Sequence, residues 1–189
     1  MNVPKTDSKN ERYTYADYLT WGDGVRYELI DGVAYAMTSP STVHQRVSRK
    51  LTLKIGNFLE GKVCELFVAP SDVRLNHDKG DDTVVQPDLL VVCDKSKLDD
   101  RGCLGAPDLV IEILSASTAR FDMLVKFQKY LNAGVREYWI VDPEEQIVDV
   151  FVLEHGKYIG SEYKENGVIE SHVLKGCEIS LAEVFEKEK

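Results

Sequence analysis

One carboxylate lies inside a strand that is otherwise apolar. Residues 108–114, Asp-Leu-Val-Ile-Glu-Ile-Leu, place Leu109, Ile111 and Ile113 on one face and Val110, Glu112 and Leu114 on the other. A strand apolar on both faces belongs in a sheet covered on both sides. An ionised Glu112 there needs a cation, an Arg or Lys, or a proton. A second acid, Asp88, opens the apolar run Leu89–Cys93 after Pro87. Two carboxylates converging from neighbouring strands make a hard oxygen site suited to Mg2+ or Mn2+. A Lys beside them can hold or polarise an attacking water, or offset charge developing on phosphorus. Asp, Glu and Lys in this arrangement suit metal-assisted hydrolysis of a phosphodiester.

Asp108 competes with Asp88, because Pro107-Asp108 is a second Pro-Asp pair and Asp108 shares a strand face with Glu112. Four strand residues span about 13 Å, whereas an adjacent strand is only about 5 Å away. Asp88 is therefore the better mate for Glu112, and Asp108 the structural alternative.

The elements that must position these groups are legible from periodicity. Thr118 and Gly134 bracket a helix whose apolar stripe is Phe121, Leu124, Val125, Gln128 and Leu131, with Asp122, Lys126 and Tyr130 on a neighbouring face. Residues 135–142, VREYWIVD, then return as a second apolar strand. Strand, helix and strand with short connections imply a parallel βαβ unit. Upstream, a short helix from Thr14 to Trp21 precedes a hairpin, residues 25–30 and 33–37, closed by Asp31-Gly32. Ser39-Pro40-Ser41 then caps a helix running to about Leu59, with Arg46, Lys50 and Lys54 on its polar side. Further strands are expected at 63–69, 73–76, 147–153, 157–163 and 168–174, with polar loops at 76–83 and 94–105 and a short helix from Leu181. The reading is one α/β domain over residues 13–189 behind a loose tail, residues 1–12.

The chain of 189 residues can bury a full core. Its net charge of −9 argues against coating nucleic acid by charge alone. No apolar run approaches the ~18 residues that span a membrane. Cys64, Cys93, Cys103 and Cys177 are scattered without a CxxC pair. They read as reduced thiols, so a cytoplasmic protein is expected.

Taken together, Tyr27-Glu28-Leu-Ile-Asp-Gly32, Ser41-x-x-His44, Gln86-Pro-Asp88-Leu-Leu-Val-Val, Pro107-Asp-Leu-Val-Ile-Glu112-Ile-Leu-Ser115, Asp122-x3-Lys126-x3-Tyr130 and Ala133-Gly-Val-Arg-Glu-Tyr-Trp-Ile-Val-Asp142 resemble the Uma-type putative restriction endonucleases. These form a bacterial branch of the PD-(D/E)XK nuclease superfamily. No single motif is specific, but their order and spacing are, from about Thr14 to Phe185. The resemblance implies a restriction-endonuclease-like mixed sheet flanked by helices, with an N-terminal hairpin and C-terminal antiparallel strands. It implies Mg2+ (or Mn2+) held by Asp88 and Glu112, DNA as substrate, and a hydrolase acting on phosphodiester bonds. The superfamily Lys lies two residues after the Glu, where this chain has Leu114. In the Uma-type branch it sits on the following helix, and Lys126 matches that place. Glu28 and His44 match branch positions, Glu28 as a further ligand or water-orienting group. Asp122 and Tyr130 match as support. A homodimer is left open.

Structural readings compete with these. Glu112 and Lys126 can simply pair; Asp88 can cap a strand; Lys126 can pair with Asp122 on an exposed helix. His44 can be a neutral group near a helix start, and Arg46, Lys50 and Lys54 a solvated face. His77, His155 and His172 suggest nothing. There is no G-x-S-x-G, P-loop or H-E-x-x-H. The rival to a nuclease is a related domain that binds nucleic acid or protein without cutting, favoured by the −9 charge and by Leu114.

Overall fold

The computed structural model describes residues 12–22, 24–115 and 122–186. Among the described residues, two six-stranded mixed sheets and four α-helices form the body of the fold. The elements in order are α1 (Tyr15–Tyr18), β1 (Tyr27–Ile30), β2 (Val33–Ala36), α2 (Thr42–Leu59), β3 (Glu65–Val68), β4 (Asp72–Arg74), β5 (Val84–Val85), β6 (Leu89–Val92), β7 (Leu98–Asp99), β8 (Gly102–Leu104) and β9 (Leu109–Ile113). A π-helical turn (Asp122–Lys126) leads into α3 (Phe127–Ala133). Then follow β10 (Glu137–Asp142), β11 (Ile147–Glu154), β12 (Lys157–Lys164), β13 (Val168–Glu170), β14 (Glu178–Ser180) and α4 (Leu181–Phe185).

The first sheet runs β2-β1-β5-β4-β8-β7 and the second β12-β11-β10-β9-β6-β3, with β13 and β14 as a separate pair. The Asp31-Gly32 turn closes β1 on β2 with both residues at positive φ, as a two-residue hairpin of this sequence requires. In the second sheet β9 and β10 are parallel, joined through α3, and β6 runs antiparallel to β9. Strand alternation splits the second sheet's residues between two cores. Leu89, Val91, Leu109, Ile111, Ile113, Trp139 and Val141 pack with Val47, Leu51 and Ile55 of α2. Leu90, Val92, Val110, Tyr138 and Ile140 pack with Tyr130 of α3 and with Val73 and Val85 of the first sheet. Glu112 belongs to this second face, turned toward α3 and the first sheet.

Several sequence expectations are corrected. The loop expected at 94–105 contains β7 and β8, which extend the first sheet through a parallel pairing with β4. These strands are two and three residues long, too short to show a period. Gly102 is required there: a Cβ would stand 2.0 Å from the Asp72 carbonyl oxygen. The strand expected at 168–174 stops at Glu170 and pairs with β14.

In the βαβ helix, Leu124 and Gln128 are exposed while Lys126 and Tyr130 are buried. The helix face was misassigned because hydropathy ranks Leu above Lys, whereas buried carboxylates demand polar partners. Thr118, Phe121 and the side chain of Asp122 lie outside the described residues, as does nearly all of the 1–12 tail.

The reading of four reduced thiols holds for only two of them. Cys103 and Cys177 are free and buried, but Cys64 and Cys93 form a disulfide. Glu65 pairs with Val92, so one further step of that register sets Cys64 opposite Cys93. Strand pairing, not spacing along the chain, makes them neighbours. The cysteines therefore no longer argue for a reducing compartment. No helix among the described residues is long and apolar enough to cross a membrane.

Candidate functional site

Register brings the acids together. Leu89 pairs with Ile111 across β6 and β9, so one step further sets Asp88 opposite Glu112. The Ile113 amide donates to Asp88 Oδ2 at 2.8 Å, and His44 Nε2 lies 3.1 Å from the same oxygen. A carboxylate only accepts, so Nε2 carries a hydrogen toward Asp88, and Nδ1 is the ring's other nitrogen. That Nδ1 is buried with no hydrogen-bond partner among the described residues. His44 is held in the first turn of α2, where its amide donates to the Ser41 hydroxyl that caps the helix. Asp88 Oδ2 thus has two donors, and Oδ1 makes no hydrogen bond among the described residues.

Glu112 is 3 % exposed. Its Oε1 accepts from the Tyr130 hydroxyl at 2.7 Å and from Lys126 Nζ at 3.0 Å. Lys126 Nζ also stands 2.8 Å from Glu28 Oε1. Glu28 reaches in from β1, and its Oε1 accepts from the Gln86 amide at 2.8 Å. Lys126 and Tyr130 are one helical turn apart, so one helix face delivers both donors to Glu112. Burial, together with the charges of Glu112 and Glu28, holds the Tyr130 phenol well above its usual range. Tyr130 therefore stays a neutral donor.

These groups line a cleft of about 510 Å³ between β2, the start of α2 and the ends of β6 and β9. Glu28, His44, Asp88, Glu112 and Lys126 all reach it; Tyr130 stands behind Glu112. Asp108 is elsewhere: its carboxylate accepts from Arg136 Nη1 at 2.9 Å and the Cys93 amide at 2.8 Å, tying β9 to its neighbours. Lys50 and Lys54 of α2 do not serve the cleft either, since Lys54 pairs with Glu183 and Lys50 Nζ donates to the Glu186 carbonyl at 2.8 Å. A second depression of about 550 Å³ lies around His77, Lys97 and Lys129. There Lys129 is bound to Asp31 and Lys97 to the Ala106 carbonyl.

Sequence reasoning gave no role to Gln86, whose amide fixes Glu28 and whose side chain donates to Asp72 Oδ1 at 2.9 Å. Its place immediately before Pro87-Asp88 was the available signal.

Two mixed sheets flanked by helices, with a buried acid–lysine cluster at a strand-end cleft, define an α/β protein of nuclease-like fold. The chain belongs to the Uma2 family, described as putative restriction endonucleases, which it matches over residues 15–182. It is 30% identical over 170 residues to "Uncharacterized protein slr1290" of Synechocystis sp., covering 88% of this chain and 86% of that one. It is 31% identical over 138 residues to "Uncharacterized protein sll1609" of the same organism, covering 68% and 74%. Its fold matches the crystal structure of a putative nuclease belonging to DUF820 from Anabaena variabilis, with a TM-score of 0.75 and 18% identity over 92% of this chain and 97% of that one.

Proposed function

We propose that the chain is a Mg2+- or Mn2+-dependent endonuclease that hydrolyses DNA phosphodiester bonds. The observation that carries this reading is the opposition of Asp88 and Glu112 on adjacent strands, with the buried Lys126 ammonium 3.0 Å from Glu112. The donor chemistry fits a small hard cation: both acids offer oxygen, and Asp88 keeps one oxygen without a hydrogen bond. No set of three or more His, Cys, Asp or Glu side chains is arranged to hold an ion among the described residues. Mg2+ does not require one, because it takes one or two carboxylates and fills its remaining positions with water and substrate phosphate. Bound there, the cation would supply Lewis-acid stabilisation of charge on a phosphoryl oxygen.

The protein's own groups do the rest. His44 and the Ile113 amide fix Asp88, and Tyr130 fixes Glu112. Lys126 places a positive charge where it orients the attacking water or offsets charge at phosphorus. Glu28 holds Lys126 in that position from the opposite sheet.

The test is plasmid nicking with and without Mg2+ or Mn2+, for wild type and Glu112→Gln. Metal-dependent nicking lost in the variant supports the reading; equal nicking by both, or none by wild type, removes it. A second reading, a domain that binds nucleic acid without cutting, is favoured by the engagement of Lys126 with two carboxylates. It predicts retarded but uncut plasmid.

A further inference from the structure

The hairpin turns more than Glu28 into the cleft. Glu28 pairs with Tyr35 across β1 and β2, so their side chains share a face. Arg26 and Met37 lie two residues along on that same face, and all four line the cleft. Tyr35 is 41% exposed, so its ring offers area to solvent directly beside a buried carboxylate. The Arg26 side chain makes no hydrogen bond or ion pair among the described residues. On the opposite wall α2 exposes Gln45 and Arg49. A smaller pocket lined by Gln45, Ser48, Arg49 and Thr52 opens onto the same Asp88. One groove therefore runs from Tyr35 and Arg26, past Asp88 and Glu112, to Arg49.

We propose that this groove takes single-stranded DNA, with Tyr35 as a stacking platform for one base and Arg26 and Arg49 contacting phosphates on either side of the acidic centre. The proposal deepens the nuclease reading and rests on it for the identity of the centre. Three observations favour an unpaired strand over a duplex. A base inside a duplex has both faces covered by its neighbours, so only an unstacked base can lie on the Tyr35 ring. Duplex binders neutralise many phosphates, but this chain carries a net charge of −9 and spends Lys50 and Lys54 of α2 on its own C-terminal segment. Glu112 and Lys126 are each 3 % exposed, so the scissile phosphate has to enter the cleft, which a flexible strand does at lower cost than a stiff duplex.

The test is fluorescence anisotropy of labelled oligothymidine and of a duplex of equal length, with the full chain in EDTA so that metal-dependent hydrolysis is arrested. The single strand is expected to bind at least about ten-fold tighter than the duplex, and Tyr35→Ala to weaken it by about ten-fold or more. Tyr35→Phe should keep the affinity, since the ring and not the hydroxyl does the stacking. Arg49→Ala should lower the slope of log affinity against log salt by about 0.7, one phosphate's share on a single strand. Equal or tighter duplex binding, or oligothymidine binding by Tyr35→Ala within two-fold of wild type, overturns the proposal. Single-strand preference without cleavage in any metal removes the nuclease reading and leaves the groove assignment standing. Cleavage of duplex DNA that is indifferent to Tyr35→Ala does the reverse.

Discussion

The ammonium of Lys126 lies 2.8 Å from Glu28 Oε1 and 3.0 Å from Glu112 Oε1, so one side chain bridges the two sheets of the fold. Glu28 comes from β1 of the first sheet and Glu112 from β9 of the second. Removing the cation leaves two carboxylates facing each other in a site shielded from water. Lys126→Ala should therefore cost about 3–5 kcal/mol of stability and abolish cleavage while leaving Mn2+ binding measurable. Adding Glu28→Gln should return part of the stability, because one of the opposed charges is gone, but none of the activity. Urea midpoints of the wild type, the single variants and the double variant measure this coupling. An unchanged midpoint for Lys126→Ala would show that the bridge carries no weight. Lys126→Arg should also cut poorly, since a forked, bulkier guanidinium cannot occupy a space shaped around one nitrogen.

The two Pro-Asp pairs make opposite predictions. Asp88 faces the cleft with one unbonded oxygen, whereas Asp108 is consumed by Arg136 and the Cys93 amide. In calorimetric titration with Mn2+, Asp88→Asn and Glu112→Gln should lose most of the binding heat. Asp108→Asn should bind as wild type does and show only a lowered melting temperature. The opposite ranking of the two Asp variants would move the metal site to the wrong end of β9 for this geometry.

His44 lines the cleft, and its one side-chain hydrogen bond among the described residues is to Asp88. Its Nε2–H fixes the carboxylate that the Ile113 amide also holds. Groups that orient a metal ligand typically change affinity by about 10–100-fold when removed. His44→Ala should fall in that range for Mn2+. His44→Gln, which keeps an N–H donor of similar reach, should recover part of the loss. Equal affinities for all three proteins would reduce His44 to a packing residue.

How much of this was readable from the chain depends on which forces wrote each feature. Glu112 was visible because a charge in a two-sided apolar strand is an anomaly on its own. The choice of Asp88 over Asp108 needed only strand spacing, and the structure sets Asp88 opposite Glu112 as that geometry requires. The Glu28–Lys126 contact was invisible, since it spans two sheets and 98 positions of sequence, and nothing local records which sheet faces which. The reach of Lys126 toward Glu112 was legible, because a charge in an apolar strand demands a partner, but the exposure of Leu124 and Gln128 was not. A stripe rule scores them as core, and the contacts that turn the helix away from that stripe lie on other elements. The Cys64–Cys93 pair was hidden by the same dependence on register, as were β7 and β8, which exist only because β4 offers them an edge.

A cluster of phenols sets the alkaline limit. Tyr15 and Tyr18 both donate to the Asp72 carboxylate, at 3.1 and 3.2 Å. Burial first, and the Asp72 charge second, push Tyr15 up to about 12 and Tyr18 higher still. Tyr130 is raised by its own burial and by Glu112 and Glu28. In each case the folded protein favours the neutral phenol, and the unfolded chain ionises near pH 10. The contribution to stability is therefore complete below about pH 10 and drains away as pH climbs from there toward the folded values, by up to about 1.4 kcal/mol per pH unit for each tyrosine. Tyr15→Phe should be less stable than wild type at pH 8, by about 1 kcal/mol for the lost hydrogen bond, yet its stability should fall less steeply above pH 10. Urea unfolding followed by circular dichroism across pH 8 to 11.5 gives both curves. Parallel curves over the whole range would mean that Tyr15 titrates alike in the folded and unfolded chains, and that the Asp72 contact does not hold its proton.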